Sequence, residues 1–331
     1  MSHLSDMPND TPPDVAVVVI GRNEGARLVA SLASLQGVVR RIVYVDSGST
    51  DDSLKVARAA GAQVVELDMS VPFTAARARN AGFEALDPMP EFVQFIDGDC
   101  VVVQGWIAAG AVALMQHNDI GIVAGWRTEI HPDASVYNGL VDFEWHRPAG
   151  DIDACGGDMM VRTAVFRDAG GFNAHVIAAE DDEFCTRVRA AGWRVHRLPV
   201  SMTQHDADMH SFRQWWQRAV RTGHGFAQVG ALHPGYFQRS RQRVWVYGAA
   251  LPVLAIMSLV LLPWLLWVIG GLYLVSYVRT VHGLRTEGLA LPNALHHSLF
   301  LSLSKFPNLI GILTYHWRVL RRSDMAIIEY K

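Results

Sequence analysis

The sequence has little cysteine and almost no excess charge, and each shortage excludes a class of protein. Its three cysteines never stand in a C-x-x-C spacing, so neither a disulfide framework nor a thiolate zinc site is expected. The same count favours a reducing compartment. The 29 basic and 32 acidic residues leave a net charge of −3, without the basic excess of a nucleic-acid-binding protein. We therefore expect no nucleic-acid partner.

Three common motifs are also missing. The segment Gly21-Arg-Asn-Glu-Gly25 does not fit G-x-G-x-x-G, which disfavours a dinucleotide site. The sequence contains no G-x-x-x-x-G-K-[ST] P-loop and no G-x-S-x-G nucleophile elbow. These absences set aside three large groups of α/β enzymes.

Residues 15–100 do contain a regular alternation of strands and helices. Val15–Ile20 is a continuous apolar run rich in β-branched residues, typical of a strand buried on both faces. Gly61 stands where a preceding helix would end in a left-handed residue. Strands are predicted at 15–20, 42–45, 64–67 and 92–96, and helices at 24–35, up to 60, and at 75–86. This alternation predicts an α/β fold, a mostly parallel sheet with helices on both faces.

The rest of the chain is less regular and then becomes strongly apolar. Further elements are predicted at Trp106–Gln116 (helix), Gly121–Trp126 (strand) and near Glu183–Ala191 (helix). Residues 244–278 carry no charge, which is too long a stretch for one spanning helix of ~20 residues. Basic flanks favour a membrane hairpin that turns near Pro263 with both ends cytoplasmic, and two buried helices of a soluble protein are the alternative. Residues 289–320 predict an interfacial amphipathic helix, and residues 1–14 a disordered tail that is no signal peptide.

Carboxylates stand at the ends of three of the four predicted strands. Asp46 and Asp68 each follow a strand, and Asp97-Gly-Asp99 follows the strand at 92–96. Ligands of parallel sheets bind beyond the carboxyl ends of the strands. Two carboxylates two residues apart can hold Mg²⁺ or Mn²⁺. In such sites the phosphates of the substrate usually supply further ligands to the cation. We predict a divalent metal site here, and a solvated turn is the alternative.

Four adjacent carboxylates, Glu180 to Glu183, open a predicted helix. The helix dipole is a sufficient explanation for Asp182 and Glu183. Mutual repulsion raises the pKa of at least one of the four, which suits a general base that takes a proton from an alcohol. Downstream, the imidazole of His205 is a candidate ligand for the cation beside Asp99, and His210 is a weaker one.

Taken together, these residues resemble the family 2 glycosyltransferases, whose catalytic domain has the Rossmann-like GT-A fold. The resemblance covers about residues 15–205. Seven ordered motifs carry it: V-V-V-I-G-R-N-E ending at Glu24, V-D-S-G-S-T-D-D-S around Asp46, A-R-A-R-N-A-G around Arg79, F-I-D-G-D ending at Asp99, C-G-G-D-M-M-V-R from Cys155, G-G-F ending at Phe172, and E-D at Glu180 and Asp181.

The resemblance implies a role for each matched residue. The nucleotide-sugar pocket would be lined by Gly21, Asn23, Glu24, Asp46 facing the base, Arg79 near the diphosphate and Asp97 at the ribose. Asp99 would bind the metal, completed by His205. The acceptor would lie against Gly157, Asp158 and Glu180, and Asp181 would be the general base. The implied catalytic domain spans 15–235, with a nucleotide-binding half (15–100) and an acceptor-binding half (101–235), followed by a membrane-associated helical region (236–331).

The implied reaction is inverting transfer from a nucleoside-diphosphate sugar, with Mn²⁺ or Mg²⁺ stabilising the departing diphosphate. Arg218 or Arg221 are further candidates for that charge. Gln214-Trp-Trp-Gln-Arg218 departs from the Q-x-x-R-W motif of processive synthases, which favours single addition. The apolar hairpin resembles bacterial transferases of cell-surface polysaccharide synthesis. That implies a glycan or polyprenyl-diphosphate-linked acceptor, contact with membrane lipid, and an inner-membrane location with the catalytic domain in the cytoplasm.

Two other functions fit parts of the sequence. A non-catalytic nucleotide-sugar-binding scaffold would be expected to have lost one of the carboxylates Asp97, Asp99 and Asp181, and all three are present. A sugar nucleotidyltransferase would need a Gly-rich loop bearing Lys or Arg after the first strand, and Gly21-Arg-Asn-Glu matches this poorly.

Overall fold

The computed structural model describes residues 14–329, so the predicted tail at 1–14 lies outside the described residues except for Asp14. The N-terminal part contains β1 (Val15–Gly21), α1 (Ala26–Leu35), β2 (Arg41–Asp46), α2 (Ser53–Ala59), β3 (Gln63–Glu66), α3 (Ala75–Glu84), β4 (Phe92–Asp97) and β5 (Cys100–Val102). Every strand and helix predicted over 15–100 is present. Helix α1 begins later than predicted because Gly25 has a φ of 54°, outside the helical region. Gly61 follows α2 with the expected left-handed φ of 78°.

The central part continues the sheet with longer connections. It contains α4 (Trp106–Gln116), β6 (Ile120–Glu129), α5 (Val136–Trp145), β7 (Gly150–Asp151), β8 (Met159–Arg162), α6 (Thr163–Asp168), α7 (Glu180–Ala190), β9 (Arg194–His205) and α8 (Phe212–Leu232). The helix predicted at Trp106–Gln116 agrees at both ends. Strand β6 runs three residues beyond the predicted end at Trp126, and this extension carries Arg127 to the edge of the sheet.

One nine-stranded sheet joins these elements in the order β3-β2-β1-β4-β8-β6-β9-β5, with β7 paired to β9. Strands β1 to β4, β6 and β9 run in one direction and the other three in the opposite one, so the sheet is mostly parallel, as predicted. Alternate residues of β1 enter different cores: Val17 and Val19 one, Val18 and Ile20 the other. Both faces are therefore covered. The carboxyl ends of β1, β4, β6 and β9 meet at the same edge.

The C-terminal region is helical. A continuous helix, Gln238–Leu261, comprises α9 (Gln238–Val244), a π-helical turn (Trp245–Ala250) and α10 (Leu251–Leu261), and is followed by α11 (Leu265–Thr286), α12 (Leu291–Leu303) and α13 (Lys305–Arg321). The first helix and α11 are long and apolar enough to cross a membrane, and the chain turns between them at Pro263 as predicted. Their apolar side chains are exposed, Val260 by 85% and Trp267 by 86%.

The single helix predicted over 289–320 is divided at Ser304 into α12 and α13. Helix α13 packs on α8 at two glycines. A Cβ at Gly311 would lie 2.0 Å from the carbonyl oxygen of Val220, and one at Gly223 would lie 2.1 Å from that of Asn308. One face of α13 therefore lies directly against α8, because only glycine lets the two backbones approach so closely.

We expect Gly311→Ala to loosen this junction. The added methyl overlaps backbone atoms that cannot swing away, so the free energy of unfolding should fall by about 1–3 kcal/mol. Thermal unfolding in detergent, followed by circular dichroism, measures the change. Gly283→Ala in α11 is the matched control, because nothing lies within 4 Å of its added Cβ. Equal stability of the two variants would contradict the close docking of α13.

Candidate active site

A cleft with a volume of about 840 Å³ opens at the edge where the strands β1, β4, β6 and β9 end. Its wall is formed by the loop after β1, the first turn of α7 and one side of α8. Ten of the twelve predicted site residues line it: Gly21, Asn23, Glu24, Arg79, Asp97, Asp99, Gly157, Glu180, Asp181 and His205. The other two, Asp46 and Asp158, lie next to the cleft without lining it.

Arg79 is 2% exposed and joins the two halves of the site. Its Nη2 donates to Asp97 Oδ1 at 2.7 Å, and its Nη1 donates to Glu180 Oε1 at 2.8 Å. A Cβ on Gly157 would stand 2.1 Å from Arg79 Nη2, so this position accepts only glycine while Arg79 keeps its place. The need for space beside Arg79 thus explains the glycine at position 157, and Glu180 binds the arginine directly.

Asp158 is buried beneath the cleft. Arg127, which lies near the end of β6, donates from Nε to Oδ2 at 3.0 Å, and its Nη2 forms an ion pair with Oδ1 at 2.7 Å. Thr203 Oγ1 also donates to Oδ2, at 2.7 Å. Asp158 Oδ1 also accepts the backbone N–H of Asp97 at 3.2 Å. Asp158 therefore positions Arg127 and the end of β4, and its oxygens face these groups.

Asp46 is likewise buried and shapes a loop. Tyr44 donates its hydroxyl to Oδ1 at 3.1 Å, and the backbone N–H groups of Gly48 and Ser49 donate to Oδ2 at 2.9 and 2.8 Å. This loop in turn forms a hydrogen bond with Asn23, which lines the cleft. Ser49 Oγ accepts the N–H of Asn23 at 2.9 Å, and Asn23 itself has a φ of 56°. Asp46 thus acts on the cleft through its neighbours.

Asp99 and His205 form the predicted metal pair. The strand ends place His205 Nε2 3.3 Å from Asp99 Oδ2, and both side chains are largely buried. On its other side, His205 Nδ1 lies 3.8 Å from Glu129 Oε2 and has no hydrogen-bond partner among the described residues. A carboxylate behind a ligating histidine is the usual arrangement of divalent metal sites, so the donor set fits a cation at Nε2 and Oδ2. We note that His210 instead contacts Asp208, at 3.1 Å.

Two arginines, Arg79 and Arg127, lie beside Asp97 and neutralise its carboxylate. Burial acts to raise the pKa of Asp97, but the guanidinium groups of Arg79 and Arg127 hold it below its usual value. Asp97 therefore stays ionised and presents a carboxylate, 30% exposed, to the cleft.

The first turn of α7 carries the candidate base. It follows Ala179, whose φ of 58° is rare outside glycine. Burial and the neighbouring Glu180 raise the pKa of Asp181 to about 6. Burial and Asp181 raise the pKa of Asp182 to about 8, against the opposing effect of the Tyr236 hydroxyl, which donates to Asp182 Oδ1 at 2.7 Å. Near neutral pH the first acid is mostly ionised and the second mostly protonated, so only Asp181 is ready to accept a proton.

Several cleft residues escaped the sequence analysis. Arg127 lines the cleft and Glu129 is buried behind His205. Both lie beyond the predicted end of their strand, and the strand-end rule would have found them had β6 been extended. Trp145 lies at the end of α5 and places its ring against both His205 (centroids 4.7 Å apart) and Arg127 (5.1 Å). No motif marks it. From the other end of the chain, Ile327 and Glu329 line the cleft, and Glu329 pairs with Arg22 at 2.8 Å.

Comparison with known families gives two matches. The model of glycosyl transferase family 2 matches residues 16–155, and that of glycosyl transferase family 21 matches residues 149–320. Pre-mycofactocin glycosyltransferases of two Mycobacterium tuberculosis strains are 26% identical over 238 residues, which are 67% of this chain and 48% of theirs. The chain thus spans about half the length of these relatives. An uncharacterized glycosyltransferase of Rickettsia felis is 35% identical over 51 residues, 15% of this chain and 18% of its own.

Among solved structures, the mannosyltransferase PcManGT from Pyrobaculum calidifontis, in complex with GDP-Man and Mn²⁺, has a similar fold. The TM-score is 0.58 at 19% identity, over 94% of this chain and 91% of that one. The two family models together extend from β1 into α13, across the whole sheet and the cleft. On these matches, the chain belongs to the family 2 glycosyltransferases and has the GT-A fold.

Proposed function

We propose that this chain is a membrane-associated, metal-dependent, inverting glycosyltransferase. It transfers a sugar from a nucleoside-diphosphate sugar to a hydroxyl of a lipid-linked glycan in cell-surface polysaccharide synthesis. One observation carries the proposal: the ionised Asp181, the Asp99–His205 pair and the cationic Arg79 line a single cleft at the strand ends. This combination supplies a proton acceptor, a cation site and a positive charge in one place, as glycosyl transfer from a diphosphate requires.

The donor occupies the side of the cleft formed by the β1 loop. Gly21, Asn23 and Glu24 line it, and the ionised Asp97 accepts hydrogen bonds from the ribose hydroxyls. Asp99 and His205 hold a divalent cation, oriented by Glu129. When bound, the metal supplies positive charge that stabilises the departing nucleoside diphosphate. The neighbouring mannosyltransferase structure, which contains GDP-Man and Mn²⁺, supports this kind of donor and metal.

Asp181 performs the proton transfer. Its carboxylate accepts the proton of the acceptor hydroxyl while that oxygen attacks the anomeric carbon. The bond from this carbon to the diphosphate oxygen breaks, and the nucleoside diphosphate leaves from the opposite face. Configuration at the anomeric carbon is therefore inverted. Asp182 stays protonated and fixes the helix start through Tyr236, so it does not compete as base.

The apolar helices favour a lipid-linked acceptor. Exposed side chains of the first candidate span and of α11, among them Val260 and Trp267, form a surface that lipid would cover. Basic residues flank it at both ends, and the positive-inside rule therefore favours a cytoplasmic position for these ends and the cleft at a bacterial inner membrane.

Asp181→Asn should abolish transfer while leaving donor binding intact. The amide cannot take a proton, and loss of a general base lowers rates about 10²–10⁴-fold. Product formation in detergent and donor affinity by calorimetry are measured on the same sample. Asp182→Asn, the neighbouring control, should keep most of the activity.

The wild-type rate should also depend on pH in a defined direction. A carboxylate acts as base only when ionised, so kcat should fall as the pH drops through about 6, the raised pKa of Asp181. Equal loss of binding and transfer in Asp181→Asn, or a rate unchanged from pH 7 to 5, would contradict the assignment.

Release of nucleoside diphosphate from one member of a panel of UDP-, GDP- and dTDP-sugars should require Mn²⁺ or Mg²⁺. Asp99→Ala and EDTA should each remove this release, because Asp99 supplies a charged ligand. His210→Ala is the control, since this histidine lies outside the cleft lining. Release that persists in EDTA and in Asp99→Ala would reject the metal. Donor binding without release, even with lipid-linked glycans present, would favour the scaffold alternative.

The chain should sediment with membranes and require detergent for extraction. Burial of the exposed apolar side chains of the two candidate spans in lipid stabilises the chain by ~25 cal/mol per Å². Soluble monomers rarely leave so large a contiguous apolar surface exposed to water. Ultracentrifugation of lysate, with carbonate and detergent washes, tests this. Recovery of wild type in the soluble fraction without detergent would reject the membrane hairpin.

A further inference from the structure

A second, smaller cavity lies behind the cleft, between α8, α9 and the start of α13. Its volume is about 180 Å³, below the ~300–1,000 Å³ of pockets that hold a drug-sized ligand. Three residues of α8, Arg218, Thr222 and Phe226, line both this cavity and the cleft. The small cavity therefore lies next to the cleft, separated from it by side chains of α8, and it has room for one small group.

Three basic side chains contribute to its walls. Lys305, Arg243 and Arg218 line the cavity together with a single carboxylate, Glu144, which Arg218 already binds at 2.9 Å. Three cations against one anion leave a local charge of +2. Such an excess in a concave, partly buried site is what a phosphate or diphosphate group complements.

Lys305 lacks an anionic partner within residues 14–329. Its ammonium donates to Ser304 Oγ at 3.2 Å, and no described carboxylate lies within 4 Å of it. Burial and the nearby Arg243 lower the pKa of this amine to about 8. A buried ammonium is unfavourable unless an anion accompanies it. The cavity thus holds a charge that an incoming anion would compensate.

A polar side chain in the same cavity is also unsatisfied. Asn308 is 4% exposed, and its Oδ1 has no hydrogen-bond partner among the described residues. Ser240 and Ser304 add hydroxyl groups to the lining. A protonated phosphate oxygen or a bound water can donate to Asn308 Oδ1, while its amide group donates to an anion.

The position of the cavity indicates what carries the anion. Ser240, Arg243 and Val244 belong to the basic beginning of the first candidate span, and the next residues, Trp245 and Val246, are exposed apolar side chains. A lipid lying against this helix would place its phosphate at the cavity, and the attached group would extend past Thr222, which borders both the cavity and the cleft. Basic side chains at the interface bind lipid phosphate in this way.

We propose that this cavity binds the phosphate or diphosphate through which the acceptor glycan is joined to its lipid. The inference rests on the proposed function, since it names the binding site of the lipid-linked acceptor. Lys305 and Arg243 hold the anion, the lipid chain follows the exposed helices, and the terminal sugar reaches Asp181. Membrane phospholipid carries the same phosphate chemistry, so the test has to separate the two sources.

Site-resolved acylation of lysine provides that test without requiring activity. The 331-residue sequence has only three lysines, Lys55, Lys305 and Lys331. Lys305, with its lowered pKa, reacts readily near pH 8, and Lys55 on α2 is an exposed internal control that lines neither cavity. The full chain in neutral detergent with EDTA is treated with limiting acetic anhydride, and acetylated peptides are quantified by mass spectrometry.

A short-chain isoprenyl diphosphate should slow acetylation of Lys305 and leave Lys55 unchanged. Phosphatidylglycerol micelles at equal phosphate concentration should protect Lys305 far less. Arg243→Ala should raise the half-protecting concentration roughly tenfold, the equivalent of one charge-assisted contact. Arg239→Ala removes an exposed cation from the same helix outside the cavity lining and should change nothing.

No protection of Lys305, equal protection of Lys55, or equal protection by phosphatidylglycerol would overturn the inference. The result also stays separate from the fate of the proposed function. A chain that releases nucleoside diphosphate but whose Lys305 is unprotected retains the function and rejects the cavity. Protection in a chain that transfers no sugar retains the cavity and rejects the function.

Discussion

The buried guanidinium of Arg79 is the interaction on which the rest of the site depends. It ties Asp97 at the end of β4 to Glu180 at the start of α7, so the sheet and the helix that carries the base cannot shift independently. A buried cation that loses one of two partners costs about 3–5 kcal/mol, which explains why both acids are held at hydrogen-bond distance. Gly157 completes the arrangement by leaving room for the arginine.

The same interaction separates the carboxylates of the cleft into two groups. Asp97 lies beside Arg79 and Arg127, which hold its pKa below the usual value, so it remains ionised, as the proposed contact with the donor requires. Arg79 donates to Asp97 and Glu180, and at Asp181 its charge only partly opposes the effects of burial and of Glu180. Burial and the charge of Glu180 therefore prevail and raise the pKa of Asp181. One buried arginine thus contributes to two different carboxylates. Asp97, which it bonds, is a fixed anion, and Asp181, with its raised pKa, is the proposed base.

The sequence allowed most of the sheet to be predicted, and ten of the twelve predicted site residues line the cleft, because strand ends and turn residues are local signals. Val15–Ile20 and Gly61 are examples in which neighbouring residues alone decide the conformation. The roles of Asp46 and Asp158 could not be predicted this way. Both stand at the right edge, but their oxygens bind Gly48, Ser49 and Arg127, and those partners follow from tertiary packing. The position of Trp145 in the cleft could not be predicted either, because its contacts with His205 and Arg127 also arise from tertiary packing.

The C-terminal helices show the limit of pattern analysis most clearly. Alternating apolar and basic residues over 289–320 suit a membrane interface equally well as a protein surface, and only the glycines Gly223 and Gly311 decide that α13 lies on α8. That contact has a functional consequence. Helix α8 lines the cleft with Arg218 and Thr222 on one side and packs against α13 on the other. Because the two backbones touch, α8 cannot retreat from the cleft without moving α13. In the proposed function, a membrane that holds the apolar helices would also set the height of Asp181 above the lipid. That height would limit the length of the group between the proposed lipid phosphate and the reacting hydroxyl.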